Sequence, residues 1–184
     1  MTETIADRYR RLAGLMANTV AAVDPHRWND ASPCLDWSAL DVLRHVIETQ
    51  GLVAGFVGRE LAPGPIVGGD PLGAWISASD QIQNQLDDPV YAVETFDGGA
   101  GPMSFESAVD RLLNLDLVIH RWDIGASVDL AVEIDPEDVA WATAAAEAMG
   151  DDIRSEGVCG PALDPPADAS PQVRLLAYLG RKAW

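Results

Sequence analysis

Residues 104–126 read SFESAVDRLLNLDLVIHRWDIGA. Phe105, Val109, Leu112, Leu113, Val118 and Ile119 recur at the three- and four-residue spacings of one helix face, and Ser104 is placed to cap its start. The same pattern extends outward in both directions. Residues 3–23 carry Ile5, Tyr9, Leu12, Leu15, Met16, Thr19, Val20 and Val23 until Asp24-Pro25 stops the helix. Ser38 with Asp41 forms a capping-box signature ahead of Leu40, Leu43, Val46 and Ile47, predicting a helix to about Val57. Gly58, Pro63-Gly64-Pro65 and Gly68-Gly69 then interrupt. Asp70-Pro71, Asp135-Pro136 and Ser170-Pro171 each place a capping side chain before a proline at the first helical position. They open helices to about Leu86, Met149 (with Gly150 as its stop) and Gly180. Residues 88–102, with Gly98-Gly99-Ala100-Gly101-Pro102, read as a loop or short extended segment and not a stable sheet, and 157–168 as a Pro- and Gly-rich loop. The fold class expected is all-α, a four-helix bundle with additional short helices, formed by 1–184 as a single domain.

Composition limits the partners. The 184 residues include 29 acidic and 12 basic side chains, a net charge of −17, with 48% hydrophobic residues. That apolar share supports a core, whereas the negative charge argues against nucleic acid and anionic membrane surfaces. No apolar run of about 18 residues would span a membrane, and MTETIADRYRRL lacks the apolar core of a signal peptide. Two cysteines, Cys34 and Cys159, form neither a CxxC pair nor a disulfide framework and are read as packing thiols, so a cytoplasmic, reducing setting is expected.

The chemistry concentrates on the histidines. His26 lies in the turn after Asp24-Pro25 and carries little functional signal, whereas His45 and His120 stand mid-helix among aliphatic residues. Asp116 precedes His120 by four residues, so both side chains leave one helical face about one turn apart. An unpaired aspartate in the run Leu112–Ile119 is costly, and a divalent cation or a protein donor would neutralise it. His45, Asp116 and His120 are the candidate metal ligands, three donors from two helices that leave open positions for water or substrate. Glu48 and Asp123 compete for a ligand place, and Asp123 has a second reading as the carboxylate that orients a histidine N–H. Buried histidines satisfied by hydrogen bonds, with no metal, are the plainer alternative. Ser38, Ser104 and Ser107 read as caps, and no G-x-S-x-G nucleophile elbow is present. The glycine-rich 98–101 stretch lacks the lysine of a phosphate-binding loop. Trp122, beside His120, is a candidate pocket wall; Arg44 and Arg121 read as solvated or salt-bridged, with an anionic substrate as the other reading.

Two segments carry a family resemblance. SPCLDWS (32–38) with DVLRH (41–45), and DLVIHRWDI (116–124), resemble signatures of actinobacterial proteins related to the N-terminal domain of mycothiol-dependent maleylpyruvate isomerase. DASP (168–171), with LLA at 175–177 and LGR at 179–181, is similar to the C-terminal ending of one branch. The resemblance covers residues about 25–184. It implies a DinB-like bundle holding one divalent metal through His45, Asp116 and His120; the sequence departs from the isomerase in offering Asp where a Glu is expected and in lacking the additional C-terminal domain expected there. It further implies a thiol-dependent transferase or isomerase with mycothiol as cosubstrate and a small-molecule electrophile as substrate. Two imidazoles and a carboxylate suit Zn²⁺ first, with Ni²⁺ or Fe²⁺ as alternatives. A non-catalytic metal-binding or small-ligand-binding bundle is the other functional class. Catalytic and cofactor-binding residues are not assigned, and a homodimer through helix faces is the oligomer such a bundle admits.

Overall fold

A computed structural model describes residues 3–99, 101–155 and 159–184. Each long helix begins where a capping side chain satisfies amides that have no partner inside the helix. Thr4 accepts from the Asp7 amide to start α1 (Ile5–Ala22). At α2 (Ala39–Gly55) Ser38 and Asp41 accept each other's backbone N–H, completing the capping box. Asp70 caps α3 (Pro71–Asp87). A brief α4 (Pro89–Ala92) follows Asp88, and a hairpin pairs β1 (Thr95–Asp97) with β2 (Pro102–Ser104). The run then continues through α5 (Phe105–Ala108), a π-helical turn over Val109–Asn114, and α6 (Leu115–Ser127). Asp135 and Ser170 cap α7 (Pro136–Ala148) and α8 (Pro171–Tyr178).

The four long elements form a ring in which α1 and α2 each touch both α3 and α6. Their apolar stripes meet in a core that includes Tyr9, Met16, Leu43, Trp75, Ile82, Leu117 and Ile124, and that reaches Leu175 and Leu179 on the C-terminal segment. Polar groups inside pair across the bundle, although Asn114 Oδ1 has no partner. Tyr9 donates its hydroxyl to Gln50 Oε1 at 2.6 Å, and the Trp75 indole N–H donates to the Ala13 carbonyl at 3.1 Å. Gly125 of α6 allows the close approach of the following chain: a Cβ there would lie 2.3 Å from Val132 Cγ2. The fold is the all-α, DinB-like bundle expected, with short accessory helices. None of the described helices is long and apolar enough to cross a membrane.

Two local expectations change. Residues 88–102 hold a helical turn and a short extended segment, but that segment, β1, pairs with β2 in a two-stranded antiparallel hairpin where no sheet is expected. The strands are only three residues long and one begins with proline, which hides the alternation that would mark them. The hairpin is held by packing instead: Phe96 faces Met103 across the strands and its ring lies 5.0 Å from Phe56. The glycine-rich stretch makes its tip, where Gly98 donates to the Gly101 carbonyl and Gly99 and Gly101 have positive φ. Ala100 of that stretch, and residues 157 and 158 of the expected 157–168 loop, lie outside the described residues. The second change is the π turn inside the helix expected over 104–126. Asn114, fully buried there, donates its amide to Asp110, which also accepts from Arg8.

Candidate metal centre

Helix packing brings together three side chains that are far apart in the chain. His45 projects from the first half of α2, and Asp116 and His120 project one turn apart from α6, the helix packed against it. One donor atom from each lies within 4.8 Å of the others. His45 Nε2 is 3.5 Å from Asp116 Oδ2, and His120 Nε2 is 4.0 Å from Asp116 Oδ1. Two ligands on a tetrahedral ion with bonds of about 2.1 Å stand about 3.4 Å apart. The donor set could hold a divalent cation by its chemistry, with separations at or somewhat above that spacing. The two imidazoles meet edge to face with centroids 5.0 Å apart, and Trp37 lies against both, 5.0 Å from His45 and 6.5 Å from His120.

The cluster is closed on one side and open on the other. His120 is buried, while the His45 and Asp116 side chains keep 35% and 28% exposure. Asp116, read from its apolar neighbours as a buried carboxylate, thus stands at the open edge; helix periodicity turns it away from the core that Leu117 and Val118 face. Its hydrogen bond to His45, against the opposing cost of burial, raises the His45 pKa.

The fully buried carboxylate is Asp123. Its Oδ2 lies 2.9 Å from His120 Nδ1, where the anionic oxygen can only accept, so Nδ1–H donates to it and Nε2 is the ring nitrogen that faces Asp116. Arg181 clamps the same carboxylate, with Nε 3.2 Å from Oδ1 and Nη2 2.9 Å from Oδ2. Cys34 Sγ adds a third contact to Oδ2 at 3.4 Å. Burial pushes the Asp123 carboxyl up, but the His120 hydrogen bond and the Arg181 charge outweigh it and hold the pKa at about 2. For Cys34, burial and then the charge of Asp123 push the thiol up to about 12. Cys34, His120 and Asp123 also form a metal-like group by distance, yet the Arg181 guanidinium already lies against Asp123 and Cys34 and supplies the positive charge.

The remaining candidates fall elsewhere. Glu48 is exposed and outside the donor group, and His26 sits exposed in its turn, its backbone N–H bonded to Asp24. Arg44 pairs with Asp41 at 2.7 Å, and Arg121 donates to the Glu133 carbonyl. Ser38 and Ser104 are caps, whereas Ser107 lies within α5 and bonds Ser104. Trp122 packs half-buried against the core, and the aromatic wall at the histidines is Trp37. Arg181, absent from the residues singled out for chemistry, carried one signal only: the Leu179-Gly180-Arg181 ending, where a glycine marks a helix stop.

The low pKa of Asp123 sets a direction for acid stability. Because it is depressed in the fold, the carboxylate stabilises the protein at neutral pH, by about 2 kcal/mol, and that stabilisation is lost as pH falls from about 4 toward 2. Urea midpoints measured from pH 6 to pH 2 are expected to drop across that window and to flatten there in Asp123→Asn.

A family model described as the mycothiol maleylpyruvate isomerase N-terminal domain matches residues 9–125, which include His45, Asp116, His120 and Asp123. No curated protein and no solved structure matches the chain.

Proposed function

The chain belongs to the mycothiol maleylpyruvate isomerase N-terminal domain family, and from that premise we propose that it is a metal-dependent enzyme that uses a low-molecular-weight thiol of the mycothiol class to transfer to, or isomerise, a small electrophile. The convergence of His45, Asp116 and His120 within 4.8 Å carries this reading. These three residues would hold one divalent cation, Zn²⁺ first, with Ni²⁺ or Fe²⁺ accepted by the same donors. The cation's chemistry is to lower the pKa of a thiol at its open position, so that the thiolate is available at neutral pH.

The residues around the centre suit that role. Asp123 and Arg181 cancel each other's charge, leaving Asp116 as the carboxylate facing the cation. One negative charge against a divalent cation leaves room for one anionic ligand, which a thiolate supplies. The protein's own thiol at the site is a poor nucleophile, since Cys34 is half-buried and held protonated beside Asp123. The attacking sulfur would therefore come from the cosubstrate. Trp37 walls the site against both histidines, while the exposed sides of His45 and Asp116 leave an approach for ligand. Free cysteines at Cys34 and Cys159 suit a reducing, cytoplasmic setting, and a core that reaches Leu179 suits residues 1–184 acting as one unit.

Co²⁺ substitution tests the reading. Titration of the Co²⁺-loaded protein with mycothiol, and separately with cysteine, is expected to add a sulfur-to-cobalt charge-transfer band and shift the visible spectrum. A spectrum unmoved by either thiol removes the thiol-dependent activity and leaves a metal-binding bundle.

A further inference from the structure

The metal-facing side of His120 is only half of its environment; its other ring nitrogen is tied to a chain of contacts that begins beyond residue 125. Helix α8 ends at Tyr178, and Gly180 adopts φ +84°, a conformation that suits glycine. Space allows little else there, because a Cβ on Gly180 would stand 3.2 Å from both the Gly160 carbonyl carbon and the Pro161 oxygen. The turn is locked by Gly180 N–H to the Ala177 carbonyl and Arg181 N–H to the Leu176 carbonyl. It sends the Arg181 side chain inward, where its third nitrogen, Nη1, donates to the Leu179 carbonyl at 2.7 Å. All three guanidinium nitrogens are therefore occupied, two on Asp123 and one on the backbone, and the group is 7% exposed.

We infer that Arg181 is a positioning residue for His120: its two-toothed grip on Asp123 fixes the plane and charge of that carboxylate, so that Oδ2 holds the proton on His120 Nδ1 and Nε2 is kept as the free donor. The inference rests on the metal reading for its consequence in metal binding, but not for the tautomer itself. The geometry is specific to a fork. Nε and Nη2 reach opposite oxygens of one carboxylate, which prevents Asp123 from rotating away from the imidazole. A single ammonium would neutralise the charge without setting the plane. The C-terminal segment, outside the stretch that the family model matches, thereby completes the centre that 9–125 builds.

The test uses the full-length chain free of metal, then titrated with Zn²⁺ against a chromophoric chelator. Long-range proton–nitrogen NMR is expected to show His120 as the pure Nδ1–H tautomer in the parent. Arg181→Met is expected to mix the tautomers and weaken Zn²⁺ binding by about 10–100-fold. Arg181→Lys, which keeps the charge and loses the fork, is expected to fall between them, and it serves alone if the methionine variant does not fold. A parent-like tautomer and affinity in Arg181→Lys overturns the inference. So does weakened binding with an unaltered tautomer, which is loss of stability alone. Absence of Zn²⁺ binding in the parent would sink the metal reading, and the tautomer would still decide the role of Arg181.

Discussion

Replacing His120 with alanine is expected to remove stoichiometric Zn²⁺ from the purified protein and to lower its affinity by more than about a hundredfold, since loss of an outer-sphere partner alone costs about 10–100-fold. His120 is the donor with least freedom. It is buried, fixed at Nδ1 by Asp123, and aims Nε2 at Asp116. The variant should remain folded, because Asp123 keeps its two bonds from Arg181 after the imidazole is gone. Retained secondary structure with lost metal is therefore the expected signature, read by circular dichroism and elemental analysis. His26→Ala is the matched control, as that side chain is exposed and outside the donor group. Metal retained at one equivalent in His120→Ala would remove this residue from the centre.

Arg181→Met is expected to destabilise the metal-free fold by about 3–5 kcal/mol, the cost of leaving a buried ion without its partner. For a chain of this length that is a fall of about 6–20 °C in Tm. Asp123 has no exposure to water, and the methionine would leave it with only the His120 and Cys34 contacts. The double variant Arg181→Met with Asp123→Leu should recover much of the loss, since it removes the stranded charge as well. By contrast, Arg44→Ala should cost at most about 1 kcal/mol, because its pair with Asp41 is half exposed. Differential scanning calorimetry on the four proteins decides it: equal losses for Arg181 and Arg44 would show that the buried pair carries no special weight.

The helices were legible because their signals are local. Ser38 with Asp41, Asp70-Pro71, Asp135-Pro136 and Ser170-Pro171 each act within one turn, and each marks an observed helix start. The pairing of Asp116 with His120 was legible for the same reason, being set by helix periodicity. What joined His45 to them was a rarer cue: only three histidines exist, and two stand mid-helix among aliphatic residues. The burial of Asp116 was misjudged because its neighbours in sequence are not its neighbours in space; Leu117 faces the core and Asp116 the opening. Arg181 and Trp37 were not singled out for chemistry because their role is made by tertiary packing. Arg181 lies 58 residues from Asp123, and no spacing rule links them. The hairpin was missed because packing on Phe56 stabilises it, and its own strand pattern is minimal.

The π-helical turn over Val109–Asn114 acts as a phase shifter in the last long element of the bundle. A π turn holds one residue more than an α turn, and each added residue rotates everything downstream by about 100° around the axis. Asp116 lies two residues beyond it and His120 six, so their compass bearing toward α2 depends on that extra residue being accommodated. Removing a single residue from the turn would convert the run into one uninterrupted α-helix. Phe105 and Val109 would keep their seats in the core, while the two donors swung a quarter-turn past His45. The reading frame of this helix is thus set twice, once for the core and once for the centre.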